Sequence, residues 1–202
     1  MNRTTTSILK SNSSRVTLSA TLLAMLALIL WVTPALAFAP GFGTVYEGQS
    51  VPSAALGATR AQVVKAYGQP EQCNISATSR TYTCTFKAEG GGIVTVTFVR
   101  SLLSPLPATS DKASFIRWSQ EVTGWTTTAG VSTKLALQNP KAVVAAYPNA
   151  QVKVNSSGQI IQVLDGKLGI QVDWQYVPSS QGVLRHVSMA IFPATQITAS
   201  GK

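Results

Sequence analysis

The stretch "GATRAQVVKAYGQPEQC", residues 57–73, contains the start of a helix, its body, its end and a cysteine. Thr59 is a favourable N-cap, and Gln62 three residues later completes a Thr-x-x-Gln capping box. Gly68 suits the left-handed position that follows a helix, and the proline two residues later prevents continuation. We therefore predict a helix of about eight residues, which is too short to be stable unless it packs on a sheet.

The same design recurs 80 residues later in "NPKAVVAAYPNA", residues 139–150. Val143 and Tyr147 fall on Val63 and Tyr67 of the first stretch, and residues four apart share one face of a helix. The Asn-Pro pair at its start supplies an N-cap and a proline in the first helical position. Self-similarity at a fixed spacing indicates a duplicated unit.

Each predicted helix is followed by segments in which apolar and polar residues alternate, as in strands with one packed face. These segments are residues 79–87, 93–99, 151–154, 159–165, 168–177 and 183–192. Their polar faces supply a candidate binding surface made of Thr83, Thr95, Thr97, Gln171, Asp173 and Gln175. The loops at 89–92 and 178–182 and the segment around Trp125 are expected to add to this surface.

Between the two halves, "SDKASFIRWSQEVTGW", residues 110–125, predicts an amphipathic helix, because Phe115, Trp118, Val122 and Trp125 recur at helical spacing. We expect this aromatic stripe to pack on the core, and an exposed partner-binding helix is the alternative. The predicted fold is α+β, with two tandem repeats of short helices packed on an antiparallel β-sheet and a linking amphipathic helix. The expected segments are a signal peptide at 1–37, an N-terminal segment at 38–54, the first repeat at 55–108, the connecting helix at 109–130 and the second repeat at 131–198.

The first 37 residues are typical of a secretory signal peptide. A basic region without acidic residues precedes an almost unbroken apolar run at 18–32, and Ala35-Leu36-Ala37 offers a small-x-small cleavage site. A retained membrane anchor is the alternative, but so short a run favours removal, which leaves no stable membrane span. The mature protein is expected to begin near Phe38 and to be secreted or to lie in the cell envelope.

Cys73 and Cys84 are the only cysteines, and outside the cytoplasm such an isolated pair predicts a disulfide. Their spacing is too wide for a Cys-x-x-Cys redox motif, and one histidine cannot complete a zinc site with two cysteines. The formal net charge is +9, but the basic residues are dispersed rather than clustered as nucleic-acid contacts are. We therefore expect no metal, no cofactor and no nucleic-acid partner.

Residues 55–100 carry a Gly-x-Thr-Arg helix start, a "QVV…YGQPEQC" body and a "YTC" strand. This combination resembles the repeat of the β-lactamase inhibitory protein family, whose fold is also used by a small lipoprotein of bacterial outer-membrane assembly. The resemblance implies tandem repeats of short helices on an antiparallel sheet, and a sheet face that grips a partner protein. It also implies a disulfide between the cysteine after the helix and one in the next strand.

Catalytic groups are scarce in this sequence. His186 is the only histidine, no Gly-x-Ser-x-Gly elbow is present, and seven acidic residues leave no close pair suited to glycoside hydrolysis. We therefore expect no catalytic residue and a non-enzymatic protein that binds an extracytoplasmic protein or envelope component. The alternatives are a cell-envelope hydrolase that uses His186, with Ser188 and Asp173 as possible partners, and a purely structural envelope protein.

Overall fold

Twelve strands and three helices are found in residues 43–75, 79–88, 91–100, 107–180 and 182–194, the part of the chain that the computed structural model describes. The strands are β1 Gly43–Val45, β2 Ser50–Val51, β3 Ala54–Ala55, β4 Gln72–Asn74, β5 Thr81–Lys87, β6 Ile93–Val99, β7 Lys112–Ser119, β8 Trp125–Thr127, β9 Gln151–Val154, β10 Ile160–Asp165, β11 Ile170–Ser179 and β12 Gly182–Ile191. The helices are α1 Arg60–Tyr67, α2 Thr133–Gln138 and α3 Pro140–Ala146. The predicted signal peptide at 1–37 lies outside the described residues, as do residues 89–90 and 181 of the two predicted binding loops.

Eight strands form one antiparallel sheet with the order β4-β5-β6-β7-β12-β11-β10-β9. Two four-stranded meanders meet in its middle, where Ile116 to Ser119 of β7 pair with Ser188 to Ile191 of β12. The short strand β1 runs parallel to β8, and β2 pairs with β3. The sheet is therefore continuous across both halves of the chain.

The predicted fold class is wrong. Strands hold 49% of the described residues and helices only 15%, and the fold is dominated by the eight-stranded sheet instead of by tandem repeats of helices on a sheet. The alternating segments were predicted as strands, but the pairing of β7 with β12 joins residues 69 to 75 positions apart, and no local pattern encodes such a contact.

The predicted connecting helix at 109–130 is also wrong, because its first half is β7, a central strand. Ile116 and Trp118 alternate toward the core and are 0% and 1% exposed. The pairing of β6 with β7 shifts register between Thr97 and Phe98, which indicates a bulge. Phe115 and Trp118 lie on opposite faces of β7, and Val122 and Trp125 lie beyond its end, so the helical spacing of these four residues does not reflect a helix.

Helix α1 confirms the prediction made from its sequence. The Thr59 hydroxyl accepts from Gln62 N at 3.2 Å, and Gln62 Oε1 accepts from Thr59 N at 2.8 Å, which completes the capping box. Gly68, with φ of 83°, ends the helix. Val63, on the sheet side of this helix, is fully buried. Removal of its apolar surface from water contributes about 2 kcal/mol to stability.

The second helical stretch forms two helices where the sequence predicted one. Asn139 Oδ1 accepts from Ala142 N at 3.2 Å, so the predicted cap and the proline at the first position of α3 are confirmed. Helix α2 precedes it and is capped by Ser132, whose hydroxyl accepts from Leu135 N at 3.2 Å. The sequence analysis did not predict α2.

Helices α1 and α2 contact the same face of the sheet. The ring of Tyr67 in α1 lies 6.0 Å from that of Phe86 in β5, and Trp174 in β11 donates its indole N–H to Ala136 O in α2 at 2.9 Å. We call the opposite side of the sheet the outer face. Apart from the buried Ala190, its strand side chains are half-buried or exposed.

A disulfide joins Cys73 in β4 to Cys84 in β5, as predicted. The two cysteines lie directly opposite each other in the register of these strands, and Cys84 is fully buried. The bond ties the edge strand that follows α1 to the sheet.

Candidate functional site

The structure places six of the seven predicted binding residues on the outer face. Three threonines lie on β5 and β6, and Gln171, Asp173 and Gln175 lie along β11, each within the half-buried or exposed range. Trp125 is elsewhere: it lies in the core, 1% exposed, with its ring 5.5 Å from that of Trp118. It therefore contributes no surface for a partner.

The threonines form a cross-strand ladder on one half of the outer face. Thr83 is paired with Thr97, and Thr85 with Thr95. The hydroxyls of Thr83 and Thr97 lie 3.1 Å apart and share a hydrogen bond. Such pairs stabilise a sheet, and each hydroxyl retains a free lone pair for a ligand.

The centre of the outer face is held by Arg117, which the sequence analysis missed. Its Nη2 reaches Asp173 Oδ2 at 3.1 Å, although the two residues lie on β7 and β11 with β12 between them. The guanidinium spans this distance because Ala190, the residue that it crosses on β12, has only a methyl side chain. The same guanidinium lies 5.4 Å from the centre of the Phe115 ring, a cation–π distance.

Asp173 is the hub of this central network. Besides Arg117, it accepts from Gln162 Nε2 at 2.8 Å and from Gln171 Nε2 at 2.7 Å and 2.9 Å. Because its two oxygens are already supplied with donors and its charge is offset by Arg117, Asp173 is fixed in place. The network fixes the shape of the outer face.

A notch interrupts the sheet just beyond Ser119. There β7 ends, whereas residues 182–187 of its neighbour β12 extend past that end. The notch has a volume of about 290 Å³. It is lined by Ser119, Gln120, Glu121, Asp173, Gln175, His186, Val187 and Ser188. Two hydroxyls, two amides, two carboxylates and the imidazole thus meet in one place.

Glu121 and His186 are the two ionisable notch residues that lie outside the Arg117–Asp173 ion pair. A hydrogen bond with Ser119 lowers the pKa of Glu121, and the nearby His186 lowers it further. Among the described residues, no hydrogen bond joins His186 to Ser119, Ser188 or Asp173, although all four line the notch. The arrangement is not a catalytic triad in this conformation.

The hairpin of β11 and β12 projects beyond its neighbours as an arm. The two strands pair over ten residues, whereas β7 pairs only with residues 188–191 and β10 only with residues 170–173. We call residues 174–179 and 182–187 the arm. Three of its apolar side chains are exposed, with relative exposures of 43% for Val177, 61% for Val183 and 52% for Leu184.

Besides the Trp174 indole, which donates to Ala136 O, two side chains hold the arm against the body of the protein. The Tyr176 hydroxyl donates to Ile160 O at 2.9 Å, and Arg185 Nη1 donates to Leu137 O at 2.7 Å. The Arg185 guanidinium also lies 5.4 Å from the centre of the Tyr176 ring. These contacts fix the arm in position although its tip is exposed.

Within the described ranges, no group of three or more His, Cys, Asp or Glu side chains is arranged to hold a metal ion. Among the same residues, no helix is long and apolar enough to cross a membrane. Comparisons with models of protein families, with curated proteins and with solved structures gave no match.

Proposed function

We propose that this protein is a secreted, non-enzymatic binding protein that engages an extracytoplasmic protein or envelope component through its outer face and the notch. The observation that carries the proposal is the open outer face, since α1 and α2 cover the other side of the sheet. Its central network of Arg117, Asp173 and two glutamines is already ordered, so a partner would meet a preorganised surface.

The disulfide supports a location outside the cytoplasm, since such bonds persist in oxidising compartments. The signal peptide expected at residues 1–37 belongs to the same proposal, and N-terminal sequencing of the protein from culture fluid or envelope tests it. A start near Phe38 supports secretion, and an intact Met1 contradicts it. The family resemblance of residues 55–100 is a further part of the proposal and rests on the sequence motif alone.

The experiment is an affinity capture from the envelope and culture fluid of the producing cell, with two variants beside the wild type. Thr97→Arg and Gln175→Arg, combined, place long charged side chains on the outer face without touching the Arg117–Asp173 network. Lys65→Glu and Lys141→Glu change the exposed surface of α1 and α3 instead. A partner held by the wild type and the helix variant, but lost by the outer-face variant, supports the proposal.

Equal retention by all three proteins contradicts the proposal and moves the binding site away from the outer face. Circular dichroism and thermal unfolding of each variant, compared with the wild type, establish that the folds are the same. A purely structural envelope protein would give no saturable partner in this capture.

A hydrolase that acts on cell-wall material is the second candidate, and the observation that favours it is the presence of His186, Ser119, Ser188 and Glu121 in one notch. Replacement of His186 by Ala distinguishes the two functions. Release of soluble fragments from cell-wall material by the wild type, and its loss in His186→Ala, would support the hydrolase, whereas a wild type that binds a partner and releases no fragments contradicts it.

A further inference from the structure

The edge of β12 in the arm has backbone groups without a strand partner. Val187 N points toward the β7 side, because it donates to Gln120 Oε1 at 3.1 Å. Backbone groups alternate in direction along an antiparallel strand, so Val183 and Arg185 direct their N–H and C=O groups to this same side. Neither residue has a described backbone partner there, since β7 pairs only with residues 188–191.

Gln120 takes the place of the next strand at the first of these positions. Its side-chain amide oxygen accepts from Val187 N as the carbonyl of a neighbouring strand would. Beyond Val187 no described residue pairs with this edge, and residues 183–187 contain neither a proline nor a bulge, the usual devices that block strand addition. The edge therefore has the form of an acceptor for one more strand.

Side chains beside this edge differ on its two faces. On the helix side, Val183 offers an apolar contact at 61% exposure. On the outer side, the notch carries negative charge at Glu121, whereas the charge of Asp173 is offset by Arg117. An added strand that fits both faces has apolar side chains toward Val183 and a basic side chain toward Glu121.

We propose that the β12 edge of the arm docks an extended segment of a partner protein, which adds to the sheet as a strand and places a basic side chain in the notch. This inference rests on the proposed function and names the class of partner as a protein. Main-chain hydrogen bonds to Val183 and Arg185 supply affinity, and the alternate side chains supply specificity, as in other cases of strand addition.

A blocked hexapeptide of alternating valine and lysine, Ac-VKVKVK-NH2, is the probe, and Ac-VEVEVE-NH2 is its matched control. Both are titrated into the ¹⁵N-labelled secreted protein. The lysine peptide is expected to bind at millimolar concentration or better, to shift the amide signals of Val183 and Arg185, and to slow their hydrogen exchange. The glutamate peptide is expected to bind at least about fivefold more weakly, because its carboxylates face Glu121.

Two variants test the edge and the charge separately. Val183→Pro removes a single N–H on the open side and leaves the hydrogen bonds between β12 and β11 intact. The lysine peptide should therefore bind this variant about fivefold more weakly. Val183→Ala keeps the N–H and is the control. Glu121→Gln should weaken binding of the lysine peptide by a similar factor. Glu71→Gln, at the far edge of the sheet, should leave that binding unchanged.

The inference is overturned if the lysine peptide does not bind, if it binds without protecting Val183 and Arg185, or if Val183→Pro binds it as the wild type does. The hydrogen-exchange measurement needs no variant, so it decides the question even if the proline substitution disturbs the arm. The protein could bind neither peptide and still capture a partner through the outer face. That result would retain the proposed function and reject this inference alone.

Discussion

The hydroxyl of Tyr147 lies 3.2 Å from Oε1 of Glu47, a residue 100 positions earlier in the chain. The same hydroxyl lies 2.8 Å from Thr127 Oγ1, so it can donate to either oxygen. Glu47 also accepts from the Thr128 hydroxyl and from Ala129 N. This cluster joins the segment after β1 to the loop after β8 and to the end of α3.

Replacement of Tyr147 by Phe should lower the free energy of unfolding by about 1–2 kcal/mol, because it leaves the buried Thr127 hydroxyl and the half-buried Glu47 carboxylate without this donor. Urea unfolding followed by fluorescence measures the change. Tyr46 is 51% exposed, so Tyr46→Phe is the control and should change stability by less than about 0.5 kcal/mol. Equal effects of the two substitutions would show that the cluster contributes nothing.

Glu47 should make stability depend on pH in the acid range. Burial works to raise the pKa of Glu47, but hydrogen bonds from Thr128, Ala129 and Tyr147 outweigh it, and the pKa lies below the usual value of 4.5. Its contribution to stability is therefore present above about pH 4.5 and is lost as the pH falls through the lowered pKa of the folded state. Melting temperatures between pH 7 and pH 3 should fall less steeply in Glu47→Gln than in the wild type. Parallel curves would contradict this assignment.

Loss of the disulfide should lower the free energy of unfolding by about 2–3 kcal/mol without abolishing the fold, because the bond joins residues only 11 positions apart. The double variant Cys73→Ser and Cys84→Ser, compared by urea unfolding, gives this number. Alkylation of the untreated secreted protein should detect no free thiol. Labelling of either cysteine before reduction would count against the bond.

The Arg117–Asp173 pair should contribute more to stability than the exposed Lys87–Glu71 pair. The side chains of Arg117 and Asp173 are 41% and 20% exposed, against 73% and 43% for Lys87 and Glu71. Solvent screens both pairs, so their coupling free energies should be small. A double-mutant cycle with Arg117→Met and Asp173→Asn should give a coupling free energy of about 0.5–1 kcal/mol for the first pair. The second pair should give a smaller coupling, because solvent screens the more exposed Lys87 more strongly. A larger coupling for the Lys87–Glu71 pair would reverse the ranking.

Local signals in the sequence were sufficient where structure depends on neighbours along the chain. The capping box of α1 and the alternation of β5, β6, β11 and β12 produced elements at or near the predicted positions. The same alternation correctly assigned Gln171 and Asp173 to the polar face of β11. These features are local because each depends on residues two to four positions apart.

The central part of the outer face was not predictable in this way. Strand β7 was predicted as a helix because Phe115 and Trp118, which face opposite sides of the strand, lie at helical spacing, so Arg117 was never considered as a surface residue. The contact of Arg117 with Asp173 also requires the pairing of β7 with β12, which joins residues far apart in sequence. Trp125 was misplaced for the same reason, because its burial beside Trp118 depends on β8 pairing with the N-terminal strand β1.

The position of β12 in the middle of the sheet sets the order in which the sheet can be completed during synthesis. Strand β7 is complete when the ribosome has passed Ser119, but its second neighbour is the last strand of the described chain. Until then one edge of β7 is unpaired, and Trp118 and Ile116 have no strand beside them on that side. An incomplete chain therefore carries an apolar open edge, which favours aggregation until the final strand is added.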